Sequence, residues 1–167
     1  MPANRLDRAT ESLIRSLAGK LQDRGLYCAT AESCTGGWIA QVLTSVSGSS
    51  NWFDCGFITY SNESKTRLLG VGKDTIEEYG AVSEEVAREM AIGAVENSRA
   101  KVAVSVTGIA GPEGGSEHKP VGTVVFGWLV PGVAVPDVET IQFAGDRTDI
   151  RWLTVEHALA GMHSRLN

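Results

Sequence analysis

The chain has 167 residues, 43% hydrophobic and 21% charged, a globular composition long enough for one domain spanning 1–167 with a core of its own. Its formal net charge of -5 argues against nucleic acid, whose phosphates demand a basic face. No run approaches the ~18 apolar residues of a membrane span, and "MPANRLDRATESLIRSL" lacks an apolar signal core, so no membrane partner and a cytoplasmic location are expected.

In chain order, Leu13, Ile14, Leu17 and Leu21 recur at helical spacing over 9–23, and Gly25 stops that helix. "LYCAT" suits a short buried strand. Gly36 and Gly37 then open a second helical pattern through Ile39, Ala40, Leu43 and Val46, closed by "SGSSN". "FDCGFITY" is the next strand, followed by a helix in "SNESKTRLLG" with Ser61 or Asn62 as its cap. "VSEEVAREMAIGAVENS" is the plainest helix, capped by Ser83. "KVAVSVTG" is a buried strand and "GIAGPEGGSEHKPVG" a long glycine-rich loop. "TVVFGWLV" and "VETIQFAG" suit neighbouring strands, and a last helix covers about 146–163. The order α-β-α-β-α-α-β-β-β-α predicts an α/β fold, a three-layer α/β/α sandwich around a mixed, largely parallel sheet. The polar segments 32–37, 61–65 and 107–117 each follow a strand, so they are expected to share one rim, where open α/β sheets bind ligands.

Three cysteines (Cys28, Cys34, Cys55) without CxxC spacing predict reduced thiols, and the three histidines lack metal-ligand spacing, so no metal site is expected. In "TAESCTGGW", Ser33 and Thr35 precede a helix start, where free N–H groups near Gly36 suit an anion or a developing oxyanion. A capped helix after a strand explains the same letters, and Cys34 has no histidine partner motif. "SGSSNWF" offers Ser47, Ser49 and Ser50 in turn vocabulary. Tyr60 ends a strand and Lys65 falls in the first turn of the next helix, where the macrodipole disfavours a cation. Such a field, with burial, lowers a lysine's pKa toward that of a general base, and a lysine-activated serine is an alternative to a histidine triad. A solvated surface lysine is the competing reading. Thr107 and Gly108 end a strand before G-x-x-G-x-x-G, which is not the dinucleotide fingerprint, and "GVGKD" fails as a phosphate loop because Asp74 stands where Ser or Thr is needed. Arg147, in "GDR", has the donor fork for a phosphate or carboxylate, or pairs with Asp146 or Asp149.

Together, "TAESCTGG", "SGSSNWF", "GFITYSNESK", "GAVSEEV", "MAIGA", "SVTGIAGPEGG", "KPVGTV" and "GDR" resemble the CinA C-terminal domain family, in order and through nearly the whole chain. The resemblance is to the deamidase half alone, without the molybdopterin-binding-like domain of longer members. It implies conversion of nicotinamide mononucleotide to nicotinic acid mononucleotide and ammonia. It further implies a small-molecule nucleotide substrate, serine chemistry with no cofactor, and a homodimer or higher homo-oligomer. The family's polar set falls on Ser33, Ser50, Tyr60, Lys65, Thr107 and Arg147. On that basis Ser50 is the preferred nucleophile, with Ser33 and Ser49 as alternatives, and Lys65 the base. Tyr60 is expected to orient the lysine or relay a proton, and Ser33, with backbone N–H groups near Gly36, to line the amide pocket or the oxyanion site. Thr35, Gly36, Thr107, Gly108 and Arg147 are expected to bind substrate. A non-catalytic partner or regulatory module on the same fold is the alternative, and a thiol amidase using Cys34 with Glu32 and Lys65 a further rival.

Overall fold

A computed structural model describes residues 6–166; the first five residues of the amphipathic N-terminal stretch lie outside them. The chain runs α1 (Arg8–Asp23), β1 (Cys28–Glu32), α2 (Trp38–Thr44), a 3-10 turn (Ser49–Asn51), β2 (Phe53–Ile58), α3 (Asn62–Leu69), α4 (Lys73–Tyr79), α5 (Glu84–Glu96), β3 (Val102–Gly108), β4 (Thr123–Leu129), β5 (Asp137–Gln142) and α6 (Arg147–Arg165). Side-chain caps start the longer helices. Asp7 accepts from Ala9 and Thr10 N–H before α1, Ser83 accepts from Val86 N–H before α5, and Asp146 and Asp149 form a reciprocal pair at α6.

One helix is missing from the sequence reading. α4 buries none of its residues, so it shows no apolar stripe to find. Its first turn is held from outside instead, by Glu89 of α5, which accepts from Gly72 N–H at 2.8 Å and Thr75 Oγ1 at 2.8 Å.

The strands form one five-stranded sheet in the order β2-β1-β3-β4-β5. β1 is parallel to β2 and β3, while β4 is antiparallel to both of its neighbours. Alternation along the strands splits the core. Cys28, Val102, Val104 and Val106 face α1, α2 and α6 together with Trp52 and Trp128. Ala29, Ala31 and Ala103 face the other way, onto Val86, Met90 and Ala94 of α5. Small residues on that side let backbone meet backbone: a Cβ on Gly93 would lie 2.0 Å from the Leu69 carbonyl oxygen. The result is the expected α/β/α sandwich around a mixed sheet.

This topology fixes where chemistry can occur. Glu32 pairs with Ile58 on one side and Val106 on the other, so β1, β2 and β3 end at the same edge. The segments that follow them meet there, joined by the start of α6.

Candidate active site

Ser61 and Ser64 cap α3 reciprocally and so fix its starting point. Lys65 follows immediately, and its side chain turns inward rather than to water. It is only 2% exposed. Its Nζ donates to Ser33 Oγ at 3.0 Å and to the Thr59 carbonyl at 3.0 Å. Loss of hydration disfavours the ammonium, so burial pushes the lysine below its ordinary 10.5. Unprotonated, the amine has a lone pair, and the same short contact then runs in reverse, with the Ser33 hydroxyl donating to Nζ. A buried amine of lowered basicity against a serine is the arrangement a general base and nucleophile require.

Around this pair lies a cavity of about 220 Å³ whose wall includes Tyr60, Asn62, Thr107, Gly108 and Arg147. The Thr107 hydroxyl donates to the Ala81 carbonyl at 2.7 Å and keeps its lone pairs for a ligand. Gly108 has no room for a side chain, since a Cβ would stand 3.0 Å from the Thr123 carbonyl oxygen. Arg147 bridges the cavity mouth, donating to the Gly111 carbonyl at 2.8 Å and to the Tyr60 hydroxyl at 3.0 Å. Tyr60 thus bonds to the arginine, and the Lys65 amine is held between Ser33 and the Thr59 carbonyl. The sequence reading gives Asn62, Thr59 and Arg151 no part in the site; Asn62 lines the cavity and Thr59 holds the lysine, while Arg151 reaches the neighbouring loop from α6.

Thr35 and Gly36 do not reach the cavity. They line an adjoining depression with Trp38, Ile58 and Arg151. Thr35 is fully buried and its hydroxyl donates to Glu32 Oε2 at 2.7 Å. The expected anion site at the start of α2 is likewise occupied by the protein itself. Glu32, fully buried, accepts from the N–H groups of Gly37 at 3.1 Å, Ile39 at 3.0 Å and Ala40 at 2.8 Å. Within residues 33–40, only the amides of Cys34 and Thr35 find no acceptor on another described residue.

Ser50 is not brought to Lys65. It sits exposed on the 3-10 turn before β2, whereas Ser33 and Lys65 follow the far ends of β1 and β2. A six-residue strand, about 20 Å long at ~3.3 Å per residue, stands between them. Its turn is built around Trp52, 1% exposed, whose carbonyl accepts from Cys28 N–H at 2.8 Å. Ser49 shares that location, so of the serines weighed as nucleophile only Ser33 contacts the lysine. The Cys34 thiol is buried and pushed up to about 12 by loss of hydration, which removes the thiolate a cysteine nucleophile needs.

The site thus places a serine on a buried lysine at the strand ends of an α/β/α sandwich. Residues 10–166 match the family described as CinA C-terminal domain, and the chain belongs to that family. Over 154 residues, covering 92% of both chains, it is 49% identical to "Nicotinamide-nucleotide amidohydrolase PncC" of Escherichia coli (strain K12). It is 48% identical over 157 residues to a "Putative competence-damage inducible protein" of Symbiobacterium thermophilum, covering 90% of this chain but 37% of that longer one. The crystal structure of competence/damage inducible protein CihA from Agrobacterium tumefaciens superposes with a TM-score of 0.92 at 44% identity, covering 98% of this chain and 99% of that one. Among the described residues no helix is long and apolar enough to cross a membrane.

Proposed function

We propose that this protein is a nicotinamide-nucleotide amidohydrolase that releases ammonia from nicotinamide mononucleotide through a Ser33–Lys65 pair. The observation that carries the reading is the 3.0 Å contact between a buried Lys65 Nζ and Ser33 Oγ. Similarity to proteins named for that activity supplies the substrate class. Lys65 takes the Ser33 proton as Oγ adds to the carboxamide carbon, and the Cys34 amide, on the cavity wall, is available as a donor for the oxyanion. Lys65 then hands the proton to the departing nitrogen, which leaves as ammonia. Water, deprotonated by the same amine, opens the resulting ester to nicotinic acid mononucleotide and restores the serine. Thr107 and Asn62 border the ring, and Arg147 meets the phosphate with its remaining N–H groups.

The presence of both halves of the pair favours catalysis over a non-catalytic module. An exposed Ile58 on edge strand β2, two residues before an exposed Tyr60, supports a homodimer, which light scattering would test. The activity itself is tested by ammonia release from nicotinamide mononucleotide and from free nicotinamide. Turnover of the nucleotide, abolished in Lys65→Ala, is expected; equal turnover by the variant overturns the mechanism.

A further inference from the structure

The site described so far leaves two buried or half-buried charged groups without a part in the reaction, Glu32 and Arg151, and both end on the loop that carries Ser33. Glu32 lies beneath it. One of its oxygens, Oε2, takes Thr35 Oγ1 and the N–H groups of Gly37 and Ile39, and the other, Oε1, takes Ala40 N–H. Arg151, from α6, grips the other side. Its Nε donates to the Cys34 carbonyl at 3.1 Å and its Nη2 to the Thr35 carbonyl at 2.9 Å, with the guanidinium 5.2 Å from the Trp38 ring. The loop is thus held by its donors from one residue and by its acceptors from another.

The direction of the grip matters. A trans peptide is planar, with its carbonyl and N–H pointing opposite ways. Because Arg151 draws the Cys34 carbonyl toward α6, the N–H of Thr35 is turned away from α6. That N–H makes no bond among the described residues, whereas the next one, Gly36 N–H, is spent on the Ser33 carbonyl at 3.0 Å. Beyond it, Glu32 consumes the N–H groups of Gly37, Ile39 and Ala40. Ser33 itself is anchored by its N–H on the Val106 carbonyl at 3.1 Å. What is left on the cavity side is the Cys34 amide, directly after the serine.

We infer that Arg151 and Glu32 are positioning residues: they set the peptide planes of 33–37 so that Ser33 Oγ stays on Lys65 while the Cys34 amide, on the cavity wall, remains available to a developing oxyanion. Neither touches substrate. Both act through backbone geometry, so their loss lowers the rate of the chemical step rather than binding. The inference rests on the hydrolytic reading above.

The test compares wild type with Arg151→Met, Arg151→Lys and Glu32→Gln. Methionine keeps the packing against Trp38 but loses both donors. Lysine keeps a charge with a single point of attachment. Glutamine keeps the shape of Glu32, but its NH₂ must face an N–H where an oxygen now accepts. Thermal melts first establish that each variant is folded at the assay temperature. For Arg151→Met and Glu32→Gln we expect kcat for nicotinamide mononucleotide to fall about 10–100-fold, less than the ~100–1000-fold of losing an oxyanion donor outright, because the donor is misaligned rather than removed. KM stays within twofold, the acid limb of the pH profile does not move, and Arg151→Lys recovers part of the rate. A second readout needs no knowledge of the substrate: covalent capture of Ser33 by a fluorophosphonate, which forms a P–O bond and expels fluoride, followed by intact mass. The same variants should be captured correspondingly more slowly. If wild type is captured at Ser33 but releases no ammonia, the substrate assignment fails while the positioning roles are still decided by capture rates. Unchanged kcat and capture in the folded variants overturn the inference. So does a raised KM at constant kcat, which makes Arg151 a substrate contact, or a displaced acid limb, which makes either residue a charge partner of Lys65.

Discussion

Two turns built from small and polar residues, SCTGG at 33–37 and SGSSN at 47–51, flank α2, yet they have opposite fates. The first follows β1 and opens onto Lys65; the second precedes β2 at the other end of the sheet. Around Ser33 the side chains are buried and hydrogen-bonded, with Glu32 and Thr35 fully enclosed. Around Ser50 the polar side chains are exposed, and the buried group is an indole, Trp52. Composition alone cannot separate an active-site loop from a helix stop. The end of the sheet on which each turn falls does separate them, because the parallel strands β1, β2 and β3 converge their following segments on one rim only.

If the first turn holds the chemistry, its partner lysine should show the largest effect. Lys65→Arg keeps a cation but replaces an amine that can lose its proton with a guanidinium that cannot. Loss of at least ~1000-fold in kcat/KM is expected, a scale consistent with removal of an essential acid–base group. In the proposed mechanism a neutral Lys65 is the active form. Rate therefore falls as pH drops through its lowered pKa, about tenfold per unit, in an acid limb that ends below 10.5. Stability has a matching sign. Below 10.5 the unfolded chain takes up this proton first, so lowering pH through the gap between the two pKa values weakens the fold.

The second turn should respond through stability instead. Trp52→Ala is expected to cost about 3–5 kcal/mol in denaturant unfolding, while the protein that remains folded keeps its kcat. An equal loss of kcat in the folded fraction would erase the contrast between the turns. Arg147→Ala sharpens the edge of the first region. Removing a charged donor to phosphate, worth ~1.5–3 kcal/mol, should raise KM roughly 10–100-fold with a smaller change in kcat, measured by steady-state ammonia release. Smallest of all, Tyr60→Phe removes only the acceptor of one Arg147 N–H and should raise KM by a few-fold at most. A collapse of kcat in that variant would give Tyr60 a proton-relay role after all.

Much of the fold was legible because its cues are local. The apolar spacing of Ile14, Leu17 and Leu21, the cap at Ser83 and the valine-rich run after Lys101 each announce their element without outside help. α4 was not, because Glu89, distant in sequence, supplies its support. The rim was legible in outline: the segments after β1, β2 and β3 bring together Ser33, Lys65 and Thr107. Choice among the serines was not, since it depends on the length of β2 standing between Ser50 and Lys65. Thr35 and Gly36 illustrate a second limit. A hydroxyl before a helix suggests a ligand contact, but Glu32, folded back beneath the loop, takes Thr35 Oγ1 and the helix N–H groups first. Arg151 gave no local signal, because its partners Cys34 and Thr35 lie at the other end of the chain.

The central claim is that the serine after β1, not the one before β2, attacks the carboxamide. Parallel turnover of nicotinamide mononucleotide by Ser33→Ala and Ser50→Ala addresses it directly, with both proteins shown to be folded. Activity lost in the first and within twofold of wild type in the second is the predicted result. The reverse pattern, or two equally active variants, would contradict it.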